Sequence, residues 1–394
     1  MKKVLVIPLS DPVSVEYLYF TTIAGRTFIE RLCWISKKAG YDNSAILYKE
    51  HSEGLKKTIN HAPGKVYPSL ENASPGADSI FVFLREDIFP TVDFFKNVPV
   101  PDNKDTLYLA GENSPLMVIR VSDISRLSSA LSARSNTISL QKSLSKAYPF
   151  ITINLDNKEY YTIADHDDIP RVEKGLYSGL IKETDSFMSR HFNRKISLAI
   201  TRRLINTSIT PNQMSLVSVG IGLSGAFLLS FPIISLQVFG VLLFLLHSIV
   251  DGCDGELARL KYMESRWGGL LDFWGDNIVH TAVFFGIGVA WYKGTGSVIA
   301  LWCSGSAIAG SLLTAGLVYV MTMSSGKDDG PLYKSTSRKE KKSKLVEIAD
   351  YLSRRDFIYL VVLLAIFGKL HWFLVLAAIG APIFFLFTLW NNFR

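Results

Sequence analysis

Cysteine is scarce in this 394-residue chain: Cys33, Cys253 and Cys303 are scattered and odd in number. That argues against a disulfide framework and for a reducing compartment. No internal repeat or low-complexity tract is evident. The opening "MKKVLVIPLSDP" has too short an apolar stretch for a signal peptide and reads as a buried strand. Charge is missing over long stretches. Residues 213–250 have none, residues 294–326 have none in 33 positions, and residues 357–390 carry only Lys369. With 48% hydrophobic residues and a mean hydropathy of +0.22, the chain is too apolar for an ordinary soluble protein. Acid is missing from residues 186–212, "SFMSRHFNRKISLAITRRLINTSITPN", which hold five Lys/Arg.

What is present divides in two. Residues 1–180 read as a cytoplasmic α/β domain with a mostly parallel sheet. "KVLVIPL", "NSAILY", "DSIFVFL" and "PFITINL" are strand-like, and "GRTFIERLCWISKKAG" has helical apolar spacing that ends at Gly40. Over residues 186–208, Met188, Phe192, Ile196, Ile200 and Leu204 recur every four residues on a basic helix. That is the pattern of a helix lying in a membrane interface; an ordinary surface helix is the plainer alternative. Residues 209–394 supply apolar runs that fit six spans of about 20 residues, although "FIYLVVLLAIFG" is short.

Loop charge orients the spans. One side holds the basic helix, Arg259, Lys261, Arg266 and nine Lys/Arg in residues 327–355; the other holds Lys293 and Lys369. The first side is therefore expected to be cytoplasmic, with both termini. The net charge of +7 collects beside apolar segments, which favours anionic lipid over nucleic acid.

Directly after one apolar run comes "DGCDGELARLKYMESRWGGLLDFWGD", residues 251–276. Asp251 and Asp254 are three apart and Asp272 and Asp276 four apart, so each pair shares a helix face. Carboxylates crowded at low dielectric repel unless a cation neutralises them, and hard oxygen donors select Mg²⁺, Mn²⁺ or Ca²⁺ over zinc. Gly252, Gly255, Gly268 and Gly269 let a ligand approach the backbone, and Arg259 offers a fork for phosphate oxygens. Capping or local pairing with Arg259, Lys261 and Arg266 explains one such aspartate better than four.

Eight residues of this window, Asp251, Asp254, Gly255, Ala258, Arg259, Gly268, Asp272 and Asp276, resemble position for position the signature of the CDP-alcohol phosphotransferases. The resemblance implies a six-helix membrane core in which the four aspartates bind one or two divalent metals, Mg²⁺ or Mn²⁺, that hold the pyrophosphate of a CDP-linked donor. It implies that Ala258 and the glycines make room for the nucleotide, that Arg259 engages phosphate and that Asp276 deprotonates the acceptor hydroxyl. Thr210, Pro211 and Asn212 resemble a recurrent feature near the nucleotide site.

The front half resembles the sugar-type nucleotidyltransferase fold found in inositol-phosphate cytidylyltransferase fusions. It departs from that pattern by having no glycine between the first strand and Gly25, where a triphosphate-cradling loop belongs. A degenerate domain is therefore expected.

The resulting expectation is an integral membrane transferase releasing CMP, in phospholipid or inositol-phosphodiester synthesis. The alternatives are a bifunctional inositol-phosphate cytidylyltransferase and CDP-inositol phosphotransferase, a membrane cation transporter and a catalytically dead anchor. Expected partners are a CDP-alcohol donor, an acceptor alcohol, lipid or phosphorylated polyol, membrane lipids and a second copy of the chain, and no nucleic acid. Arg194, Lys195, Arg202, Arg203, Arg354 and Arg355 are candidates for an anionic acceptor, although the positive-inside rule alone accounts for them.

Overall fold

The computed structural model describes residues 2–8, 15–47, 65–67, 70, 78–111, 114–131, 137–154, 160–181, 185, 188–324 and 357–392. The chain forms two compact units, residues 1–176 and 177–394.

The first unit is α/β, as the alternation of apolar runs implies. Its main strands are β1 (Lys2–Pro8), β4 (Asn43–Leu47), β5 (Lys65–Tyr67), β6 (Ser79–Leu84), β8 (Leu107–Leu109), β9 (Leu116–Val121) and β10 (Phe150–Thr152). They form one seven-stranded sheet in the order β10-β8-β9-β6-β1-β4-β5. β1 runs parallel to β4 (Val6↔Ala45) and to β6 (Val6↔Phe83), whereas β9 is antiparallel to both β6 and β8. Val4 to Ile7 and all six residues of β6 are buried, as central strands covered on both faces require. "PFITINL" contributes only the short β10, whose three residues are exposed.

Short hairpin strands β2 (Thr22–Ile23) and β3 (Arg26–Thr27) lead into α2 (Phe28–Lys38), after α1 (Val15–Phe20). Thr27 and Glu30 form a capping box that starts α2. Arg31 on α2 is buried, and it donates to the carbonyls of Ile23 (2.5 Å) and Ala24 (2.6 Å) in the hairpin. The unit is completed by β7 (Ile88–Pro90), α3 (Val92–Lys96), α4 (Ile124–Leu131), α5 (Thr137–Ala147), β11 (Tyr160–Thr162) and α6 (Ile169–Ser178).

The second unit is helical. A π-helical turn, Ser189–Asn193, runs into α7 (Arg194–Leu204). Then follow α8 (Pro211–Leu229), α9 (Ile234–Lys261), α10 (Arg266–Thr295), α11 (Ile299–Ser324), α12 (Phe357–Ile366) and α13 (Leu370–Asn392). Thr210 and Gln213 build a capping box around Pro211, so the chain turns into α8 at the "TPN" stretch. Ser265 caps α10 by accepting from the Gly268 N–H at 3.0 Å.

Among the described residues, α8, α9, α11 and α13 are long and apolar enough to cross a membrane. α10 has 30 residues but carries Arg266, Asp272, Asp276 and Lys293, and α12 has ten residues. Six spans therefore remain a proposal that needs α10 and α12 as well. The basic stretch 327–355 lies outside the described residues.

α8 and α9 approach through glycine. A Cβ at Gly225 would sit 2.7 Å from the Gly240 carbonyl oxygen, and one at Gly240 would sit 2.8 Å from that of Gly225. Close backbone approach of this kind is how helices pack where no hydrophobic drive separates helix from solvent. Around the contact Leu229, Val241, Phe244, Val279, Val283 and Ile287 form a core, joined by Val361 and Leu374. Gly225→Val should cost about 1–3 kcal/mol through overpacking. Gly305→Ala, with nothing within 4 Å of the new methyl, should be silent. Thermal unfolding of the detergent-solubilised protein checks both; equal midpoints would show that the glycine contact does not set the packing.

Candidate active site at the helix crossing

The motif window folds as the end of α9 and the start of α10. Asp251 and Asp254 are buried on α9, and Asp272, partly exposed, comes from α10. One oxygen from each of the three carboxylates lies within 4.8 Å of the others. At an effective dielectric of ~20, two unit charges that close repel by roughly 3–4 kcal/mol. Three such pairs together approach the whole stability of a typical domain, about 5–15 kcal/mol. A cation placed among the three would relieve that repulsion. The donor set, oxygen only, fits a hard divalent ion.

Two local donors steady Asp254. The Ser215 hydroxyl on α8 donates to Oδ2, and the Gly255 N–H donates to Oδ1. Asp276 is not one of these three, and its Oδ1 lies 3.4 Å from Nε2 of His247 on α9.

The nucleotide candidates gather beside the carboxylates. A Cβ at Gly255 would sit 3.3 Å from Arg259 Nη1, so the guanidinium folds back over that glycine. Arg259 Nε is buried without a hydrogen-bond partner, which leaves a donor unsatisfied at a cost of about 1–3 kcal/mol. A Cβ at Gly268 would sit 3.0 Å from Asn212 Oδ1, so the start of α8 touches the start of α10. Pro211 is buried at that start, and Ala258 is partly buried on α9. Lys261 Nζ donates to the carbonyls of Thr207 and Ile209, both at 2.8 Å, and so ties down the loop before α8.

The basic helix attaches by its polar side. Glu256, inside the motif window and fully buried, accepts from Ser197 (2.6 Å), Thr201 (2.7 Å) and Arg194 (3.1 Å). Arg194 also forks onto Asp185 at 3.0 and 3.2 Å. Burial works against the Arg194 charge, but the Asp185 and Glu256 carboxylates outweigh it and raise its pKa. Arg194 is thus committed to protein carboxylates, whereas Lys195, Arg202 and Arg203 are exposed. Arg354 and Arg355 lie outside the described residues. None of Met188, Phe192, Ile196, Ile200 and Leu204 is buried; Phe192 is 54% and Ile196 45% exposed. The Tyr359 hydroxyl donates to Asn193 at 2.6 Å, which fastens the π-helical turn to α12.

The motif spacing found the aspartates, the glycines and Arg259, but not Ser215, His247, Glu256 or the committed role of Arg194. His247 precedes Asp251 by one turn and Ser215 follows Pro211 by one turn, so helical spacing from the motif was their available signal.

Residues 208–385 match the CDP-alcohol phosphatidyltransferase family. This part of the chain is a CDP-alcohol phosphatidyltransferase domain, and with its four apolar helices it makes the protein membrane-integral. Two curated relatives are both described as a bifunctional IPC transferase and DIPP synthase. The Archaeoglobus fulgidus protein is 38% identical over 119 residues, 30% of this chain and 23% of that relative. The Thermococcus kodakarensis protein is 35% identical over 135 residues, 34% of this chain and 30% of the relative. Each match thus spans less than a third of the relative's length. Among solved structures, Mycobacterium tuberculosis phosphatidylinositol phosphate synthase with CDP-DAG bound is similar at 22% identity. That match covers 50% of this chain and 94% of the other, with a TM-score of 0.34.

Arg194→Met would leave Glu256 buried without its cationic partner and should cost about 3–5 kcal/mol. Adding Glu256→Gln should recover at least half of the loss. Chemical unfolding of the solubilised protein measures both; simple addition of the two single effects would show that the pair is not coupled.

Proposed function

We propose that the protein is a membrane transferase that moves a phospho-alcohol group from a CDP-linked donor to an acceptor hydroxyl and releases CMP. The observation that carries this reading is the convergence of Asp251, Asp254 and Asp272 within 4.8 Å, inside a CDP-alcohol phosphatidyltransferase domain. Asp251, Asp254 and Asp272, with Asp276 as the fourth motif carboxylate, would hold one or two Mg²⁺ or Mn²⁺ ions. When bound, such ions neutralise a pyrophosphate and stabilise CMP as a leaving group.

The chain's own residues do the rest. Arg259 directs its unsatisfied donor toward a donor phosphate. Gly255 and Gly268 keep side chains out of the space beside it, Ala258 adds only a methyl, and Pro211 and Asn212 form the neighbouring wall. Asp276, at the edge of the carboxylate group, takes the proton of the acceptor hydroxyl as that oxygen attacks phosphorus. The phospho-alcohol passes to the acceptor, and the pyrophosphate bond to CMP breaks.

The helix over residues 186–208 is read as interfacial. Its polar side is spent on Glu256, and its apolar stripe points away from protein. That supports a site at the level of the head groups, and the Lys/Arg bias of the loops favours the cytoplasmic side of the cell membrane. An acceptor with an anionic group would meet Lys195, Arg202 and Arg203. The front unit is read as a degenerate nucleotidyltransferase-like domain. The names of the relatives favour the bifunctional alternative, an enzyme that also makes its own CDP-linked donor; the absence of glycine before Gly25 weighs against it. A cation transporter is disfavoured because the acids sit at one helix edge beside Arg259, and the later apolar runs have none.

Purified protein given a panel of CDP-alcohols, with candidate acceptors and Mg²⁺ or Mn²⁺, should release CMP. Excess chelator should abolish release and added metal should restore it; undiminished turnover in chelator would sink the metal assignment. Asp276→Asn should lower turnover about 10²–10⁴-fold, the usual cost of a general base, while calorimetric donor affinity with metal persists. Asp251→Asn should lose both rate and affinity. Loss of donor affinity in both variants would make Asp276 a metal ligand as essential as Asp251 and remove the argument for it as the base.

A further inference from the structure

Helix α7 has two distinct faces. Ser197, Leu198, Thr201 and the cap residue Ile205 are buried, at helical positions i, i+1, i+4 and i+8. Lys195, Ile196, Ala199, Arg202 and Arg203 are exposed, at i, i+1, i+4, i+7 and i+8. Phe192 extends the exposed set into the π-helical turn. This outer face holds three cations and no acid. Lys195 and Arg203 meet no carboxylate among the described residues, and Arg202 lies over the Tyr177 ring at 4.6 Å.

The buried face fastens α7 to the end of α9 that carries the motif. A Cβ at Gly252 would sit 3.2 Å from Arg194 Nη1, so this glycine makes room for Arg194 next to Asp251. Glu256, two residues after Asp254, accepts from Ser197, Thr201 and Arg194. Lys261 holds the chain that follows α7 through the Thr207 and Ile209 carbonyls. α7 therefore cannot turn on its axis without disturbing the stretch that bears Asp251 and Asp254.

We propose that α7 docks on anionic lipid head groups and that this docking supports turnover, so that the charge of the bilayer surface regulates the site. This rests on the transferase reading of the site. A cation near an anionic surface strengthens binding about fivefold, and Phe192 and Ile196 add apolar burial at the acyl boundary. The charge alone would also suit a soluble acceptor anion. Such a ligand would leave Phe192 and Ile196 in water, whereas a lipid surface takes up both kinds of side chain.

The full chain is placed in phosphatidylcholine nanodiscs, with and without phosphatidylglycerol at roughly one lipid in three. CMP release with the fastest CDP-alcohol of the panel, at saturating donor and acceptor, gives kcat. Hydrogen exchange of the amides in Arg194–Leu204 reports docking without any need for turnover. The anionic lipid should raise kcat at least about threefold and slow exchange in α7, and high salt should reverse both. Lys195→Gln with Arg203→Gln should erase most of the rise and of the protection, with acceptor KM within about twofold. Lys341→Gln with Lys342→Gln, in the basic stretch 327–355, should keep both effects.

A kcat indifferent to lipid charge overturns the regulation, and exchange indifferent to it overturns the docking. A rise that survives Lys195→Gln with Arg203→Gln belongs to other basic segments and overturns the role of α7. A raised acceptor KM for that variant in neutral discs assigns the two cations to an acceptor anion and overturns the proposal as well. No CMP release in any disc, beside protected α7 amides in anionic ones, sinks the transferase reading and the regulation with it, and supports the docking surface alone.

Discussion

Three carboxylates within 4.8 Å, at the ends of two apolar helices, are a constraint that the rest of the helical unit answers. Their mutual repulsion is of the same order as the stability of a domain. Rigid surroundings therefore matter more here than in an ordinary core: any give in α8, α9 or α10 would let the carboxylates move apart and lose the site. The Gly225–Gly240 contact lets α8 and α9 approach at backbone distance, and Ser215 reaches Asp254 from α8 because of that closeness. The start of α8 also meets α10 at Asn212 and Gly268, so one helix braces both motif-bearing helices.

A second charged layer lies beside the first. Glu256 is buried two residues from Asp254, yet it serves a different purpose, because two hydroxyls and Arg194 satisfy it. Glu256 has its charge met by donors from α7, whereas Asp251, Asp254 and Asp272 set like charges against one another. The contrast separates structure from function within a single window of sequence. It also shapes α7 and the turn before it: Ser197, Thr201 and Arg194 face Glu256, which leaves Phe192 and Ile196 exposed beside Lys195, Arg202 and Arg203. In water that face would be a liability. Beside lipid it is an anchor.

Much of this was legible in the sequence, for identifiable reasons. The aspartate motif could be read because its chemistry depends on spacing along two helices. The α/β front unit followed from alternating apolar runs, although β8 and β9 were not singled out, and the antiparallel placement of β9 is set by tertiary packing. "PFITINL" shrank to a three-residue exposed strand because an apolar run does not specify a partner. The span count was harder. Length and hydropathy identify α8, α9, α11 and α13, but α10 pays for its aspartates with hydropathy, and α12 is ten residues long.

Ser215 and His247 escaped for a deeper reason. Each stands in an uncharged run where one polar residue carries no pattern of its own. Their partners, Asp254 and Asp276, lie 39 and 29 residues away, and only the crossing of α8, α9 and α10 brings them together. Arg194 shows the opposite error: a basic residue that reads as a contact for an anionic acceptor is occupied by Asp185 and Glu256. Around such a site, charge along the sequence marks where chemistry happens. Which charges remain available for it is decided by the helix crossing.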